Sequence, residues 1–204
     1  MTFVGQLLMW AVPVGFLALV CQVIDQLILK VGGIGPWKAG GGWVMFQTWA
    51  LWFLVYYMLG GASAYDAGKS PGNLTVIVMG FCGYIVGIIA AICIFELAGL
   101  IGKVTAFWSV PIALFVVCIP ALYWGWSVNP IGINPALFLG AATFFCAMSY
   151  FGDREGAFKP DTGKWARYGQ TALGELVFCA IGLPCGWLTL ALGEGLMAWC
   201  GVAG

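Results

Sequence analysis

Six long apolar stretches run along this chain, separated by short clusters of Gly, Pro and polar residues. The breaks predict helices over about 6–30, 42–60, 73–100, 104–127, 134–152 and 169–199. Runs this long and this apolar match helices that cross a bilayer, which needs about 20 apolar residues. The expected fold is an all-α membrane protein, a six-helix transmembrane bundle forming a single domain over residues 1–204. The last segment, about 31 residues long, exceeds the roughly 20 needed to cross a bilayer, and Gly182-Leu183-Pro184 is a candidate break within it.

The second three segments read as a diverged copy of the first three. Met9-Trp10-Ala11-Val12-Pro13 returns as Phe107-Trp108-Ser109-Val110-Pro111, 98 positions later, and the same offset carries Glu96 onto Glu194. At an offset of 92, Phe46 meets Phe138, Ala50 meets Ala142, Trp52-Phe53 meets Phe144-Phe145, and Gly60 meets Gly152. Repeat one then covers about 1–102 and repeat two about 103–204. Three crossings per copy turn the second copy upside down. Inverted repeats are a recurrent plan of transporters, with the solute site between the halves.

Composition agrees. The chain is 62% hydrophobic and 8% charged, with a mean hydropathy of +0.99, and its 11 Trp and 7 Tyr suit interfacial anchors. Net charge is zero, so nothing points to nucleic acid. The links after the first, third and fifth segments hold Lys30, Lys38, Lys103, Arg154, Lys159, Lys164 and Arg167, against Lys69 alone on the other side. That asymmetry predicts a multi-pass protein of a bacterial inner membrane, with odd-numbered links cytoplasmic and both termini outside.

There is no His, and the 8 Cys are scattered through apolar runs without a CxxC pair. This argues against haem, copper or catalytic zinc, and against Ser-His or Cys-His nucleophiles. No cofactor, no metal and no enzyme activity are expected.

Carboxylates inside membrane helices are functional candidates. Asp25 and Glu175 are expected near the cytoplasmic ends of the first and last helices. One reading of these acids is helix-end charges that fix depth or pair with nearby Lys; the other places Glu96 at the inner mouth of a pathway and Glu194 at the outer. With no acid at mid-depth, the pathway would suit a small neutral polar solute such as urea or an amide. Its lining is expected from the second and fifth helices: Gln47, Thr48, Asn134 and Thr143 for hydrogen bonds, and Trp49, Phe53 and Phe144 for an aromatic constriction. Packing inside the bundle is the competing reading of those rings. Asn134-Pro135 also reads as an N-cap followed by Pro at the first helical position. Gly80, Gly83 and Gly87 mark a small-residue face for close packing against a neighbouring helix or another subunit.

The stretch Ala136-Leu137-Phe138-Leu139-Gly140-Ala141-Ala142-Thr143-Phe144-Phe145, with a looser echo over Trp43 to Phe53, resembles a small bacterial inner-membrane family. That family is catalogued as a domain of unknown function (number one thousand and ninety-seven). The resemblance implies a compact multi-helix membrane protein and carries no activity. The leading expectation is a channel or facilitative transporter, working as a homo-oligomer. The alternative is a non-catalytic structural subunit of a larger membrane complex.

Overall fold

The computed structural model describes residues 3–32, 42–59, 73–127, 133–151, 158–159 and 161–201. Among these residues the chain is all-helical: α1 (Phe3–Gly32), α2 (Gly42–Met58), α3 (Asn73–Ile101), α4 (Ser109–Ser127), α5 (Asn134–Cys146) and α6 (Lys164–Trp199). A π-helical turn, Ala147–Phe151, prolongs α5. Three helices are long and apolar enough to cross a membrane, with windows at Ala11–Ile28, Leu74–Ile101 and Lys164–Trp199. Lys38, Lys69, Arg154 and the Gly60–Gly152 match lie outside the described residues.

The boundaries differ from expectation in three places. First, α4 starts at Ser109 rather than near 104. Residues 102–104 and 106–108 form turns, with Phe107 and Trp108 exposed, and Ser109 Oγ donates to the Ala106 carbonyl at 2.8 Å to open the helix. Second, the cap of α5 is Ile133, in an extended conformation, with no side-chain cap bond. Its carbonyl accepts from the N–H groups of Ala136 and Leu137, and Asn134 is already helical. Third, α6 begins at Lys164, five residues earlier than expected, and runs unbroken through Gly182-Leu183-Pro184. Pro184 removes one N–H from the ladder, and Pro13 and Pro120 do the same in α1 and α4. Bilayer-buried helices accommodate this where neighbouring helices pack around the gap.

Two pairs of helices carry the core. A Cβ at Gly83 would meet Ala136 and the Ile133 carbonyl, and one at Gly87 would run into the Leu137 carbonyl, Gly140 and Ala141. The partner numbers rise together, so α3 and α5 run in the same direction. Likewise Gly182 abuts Thr48 and the Met45 carbonyl, and Gly186 abuts Trp52, so α2 and α6 are also parallel. Missing side chains let the backbones close, which is how helices associate where lipid removes the hydrophobic drive. The small-residue face of α3 therefore meets a neighbouring helix of the same chain.

α1 lies against α6 and α2, and α4 lies against α3 and α5. Their outer faces are apolar: Val12, Phe16, Leu19 and Leu27 on α1, and Val110, Phe115, Val116 and Ile119 on α4, are exposed. Such continuous apolar faces are foreign to a water-facing surface and match a hydrocarbon one.

Candidate functional site

The centre of the fold holds a carboxyl group. Glu175 is fully buried where α3, α5 and α6 meet. Its Oε2 lies 3.2 Å from Tyr84 Oη and 3.1 Å from Thr143 Oγ1. Those two hydroxyl oxygens are 2.6 Å apart. Tyr84 comes from α3, Thr143 from α5 and Glu175 from α6, so three helices each supply one polar group. Gly140 makes the meeting possible, because a side chain there would collide with the backbone carbonyl of Tyr84. Thr143 Oγ1 also reaches the Leu139 carbonyl at 2.9 Å and the Gly140 carbonyl at 3.2 Å.

Glu175 Oε1 is buried without a hydrogen-bond partner, as are Trp52 Nε1 and Asn134 Oδ1. The Lys164–Glu96 ion pair lies at the end of the bundle, and no Lys or Arg among the described residues contacts Glu175. Leaving a buried polar atom unpaired costs about 1–3 kcal/mol. A neutral packing role for Glu175 is therefore a poor fit, because an apolar residue of similar size would fill the space without that cost.

At the end of the bundle where α6 begins, Lys164 Nζ donates to Glu96 Oε2 at 2.7 Å, and Tyr168 Oη donates to Glu96 Oε1 at 3.1 Å. Between this pair and Glu175 stand rings. Tyr168 stacks on Phe95 with centroids 6.1 Å apart, and Phe144 approaches Tyr168 at 5.9 Å and Phe95 at 6.4 Å. Lys164, Tyr168, Thr171, Glu175 and Cys179 follow one another at spacings of four, three, four and four, one stripe along α6.

The residues expected to line a pathway are dispersed. Gln47 is exposed on the outside of α2. Thr48 is buried but returns its hydroxyl to the Val44 and Met45 carbonyls and packs on Gly182. Trp49 is buried, and its Nε1 donates to Thr189 Oγ1 at 2.9 Å, tying α2 to α6. Phe53 and Asn134 are half-buried. Thr143 and Phe144 do belong to the central site. Glu96 stands at a helix-end ion pair, whereas Glu194 is exposed. Glu175, expected near the end of the last helix, lies eleven residues inside α6 because that helix starts earlier, so an acid does stand deep in the bundle and the lack of one no longer argues for a neutral solute. Tyr84 and Cys179 were not singled out; the polar stripe along α6 was the readable signal for this site.

A cavity of about 190 Å³ lies between α3, α4 and α5, lined by Ala90, Ile94, Cys118, Leu137, Ala141 and neighbours. Its walls are almost wholly apolar, and it does not include the Glu175 group. The described residues contain no cluster of three or more metal-ligating side chains. Comparison with protein-family models, curated proteins and solved structures found no match.

Proposed function

We propose that this protein carries a small, uncharged polar solute across a membrane, with Glu175 as the polar group at the centre of the path. The observation that carries the reading is the fully buried Glu175 carboxyl, held by groups from two other helices and with one oxygen left unpaired. Ionisable groups inside membrane helices are costly and serve transport pathways far more readily than packing. Oε1 is an acceptor, so it fits a solute bearing N–H donors, such as urea or an amide. The unpaired Trp52 indole N–H adds a donor from α2.

Six crossings in two inverted halves are the architecture that goes with this reading. Alternating crossings require α2 to parallel α6 and α3 to parallel α5, and both pairs do so. The contacts also repeat: α2 lies on α6 as α5 lies on α3, and α1 lies on α6 as α4 lies on α3. Met45 and Thr48 meet Gly182 as Leu137 and Gly140 meet Gly87. That register keeps the offset of 92 for α2 and α5 but makes it 95 for α3 and α6. Glu96 then corresponds to Ala191 rather than Glu194, and Glu175 corresponds to Gly80. In that register Glu96 and Glu194 do not correspond, and the Glu175 carboxyl has no counterpart in the first half.

Glu175 lies about 16 Å along α6 from Lys164, and Tyr84 about 18 Å along α3 from Glu96. With the Glu96–Lys164 pair at the cytoplasmic interface, both fall near the middle of a core about 30 Å thick. The rings of Phe95, Phe144 and Tyr168 close the way between them. A carrier that opens and closes therefore fits this arrangement better than a standing-open channel. Stopped-flow swelling of liposomes of bacterial lipid holding the purified protein, with urea, acetamide and glycerol, tests it. Solute-selective permeation above empty liposomes is expected. None, from correctly inserted protein, would favour the subunit of a larger complex, and copurification would then identify the partner.

A further inference from the structure

The central cluster contains more oxygen contacts than hydrogens to fill them. Tyr84 and Thr143 each own one hydroxyl hydrogen. Yet Tyr84 Oη, Thr143 Oγ1, Glu175 Oε2 and the Leu139 carbonyl are joined by four contacts of 2.6, 3.2, 3.1 and 2.9 Å. Two assignments use them well. With Glu175 ionised, the carboxylate only accepts: Tyr84 donates to Thr143, and Thr143 donates to Glu175 Oε2. With Glu175 protonated at Oε2, Glu175 donates to Tyr84, Tyr84 still donates to Thr143, and Thr143 turns to donate to the Leu139 carbonyl. The heavy atoms need not move. Only the direction of the hydrogens changes, and Thr143 is the group that turns.

We infer that Glu175, Tyr84 and Thr143 form a proton-operated switch, in which Glu175 takes up and releases one proton as the solute is bound and let go. The step is the addition of H⁺ to a carboxylate to give a carboxylic acid, and its reverse; water at the Glu96–Lys164 end supplies and receives the proton. Protonation removes a negative charge that no cation among the described residues offsets, and turns the Thr143 hydroxyl away from the carboxyl. Release restores a carboxylate that binds N–H donors more strongly. Tyr168 and Thr171 stand on the stripe of α6 between Lys164 and Glu175, with Thr171 Oγ1 3.4 Å from Met148 Sδ.

The titratable groups facing Glu175 are Tyr84 of α3 and Cys179, one turn further along α6. From α5 the facing polar group is Thr143. On α2, Tyr56 stacks on Trp52 and Tyr57 is exposed. The inference rests on the transport reading for its purpose, while its chemistry is tested separately.

Infrared difference spectra of the full-length protein in liposomes, taken between alkaline and acid buffer, test it. A protonated-carboxyl band is expected to appear on acidification, to shift in D₂O, and to be lost in Glu175→Gln. Thr143→Ala and Tyr84→Phe should move that band, and Thr143→Ser, which keeps the hydroxyl, should return it. Identical bands in wild type and Glu175→Gln would overturn the switch, as would a Glu175 band that does not change over the whole pH range of the folded protein. A titrating Glu175 band beside solute permeation that ignores pH would overturn the coupling and leave transport standing. Failure of transport itself would show in the swelling assay and not in this band.

Discussion

Tyr84 Oη lies 2.6 Å from Thr143 Oγ1, across an α3–α5 contact at which Gly140 lets the backbone of α5 touch the carbonyl of Tyr84. The polar centre and the close helix packing are thus one feature: the hydroxyls meet because there is no side chain to hold the helices apart.

Gly140→Ala and Gly87→Ala should therefore destabilise the protein, by about 1–3 kcal/mol as overpacked sites do. Gly15→Ala and Gly99→Ala provide the control. A Cβ at either meets nothing within 4 Å, and alanine in a helix is favoured over glycine by up to about 1 kcal/mol. Thermal unfolding in detergent should lower the midpoint for the first pair and hold or raise it for the second. Equal midpoints would contradict the packing.

Tyr84→Phe and Thr143→Val each remove hydroxyl bonds between helices. Measured interhelical hydrogen bonds in membranes are modest, about 0.6 kcal/mol on average and about 1.7 at most. Each single change should be mild. Because they share one contact, the double variant should lose less than the sum, read as a thermodynamic cycle on unfolding midpoints.

Cys21 Sγ of α1 and Cys185 Sγ of α6 lie 3.4 Å apart in the buried interior. A membrane-permeant oxidant such as iodine should join them, the two thiols giving up two protons and two electrons and iodine becoming iodide. After proteolytic cleavage between α3 and α4, the halves should stay together on a non-reducing gel and separate on reduction. Cys21→Ser should abolish the link. Halves that never cross-link would contradict the α1–α6 contact.

The Glu96–Lys164 pair is partly exposed and closes the end of the bundle near Tyr168. Lys164→Glu should change the rate of solute permeation with little effect on the unfolding midpoint, since exposed pairs add little stability. The exchanged pair Glu96→Lys with Lys164→Glu should restore the rate. A rate unchanged by the single substitution would remove this pair from the gate.

Much of this arrangement was legible in the sequence. The six helices follow from apolar runs broken by Gly and Pro, and the face of Gly80, Gly83 and Gly87 follows from spacing alone. The depth of Glu175 was not. Lys164, Trp165 and Arg167 read as a charged loop, yet they form the first turn of α6, which buries the acid about two turns further in. Gln47 and Thr48 show a second limit. α2 is apolar around its whole circumference, so no polar face marks which neighbour turns inward. The register of the proposed repeat shows a third. Offsets of 98 and 95 differ by nearly one helical turn, and the apolar pattern is almost the same after such a slip; the Gly87 and Gly182 contacts favour 95.

The most direct test of the account compares solute permeation through wild type and Glu175→Gln, reconstituted at equal density and measured at several pH values. The expected result is a folded Glu175→Gln protein whose permeation is reduced at least about tenfold, the loss of roughly 1.4 kcal/mol of stabilisation at the limiting step, and no longer varies with pH. Permeation through Glu175→Gln equal to wild type at every pH would contradict the placing of Glu175 at the centre of the path.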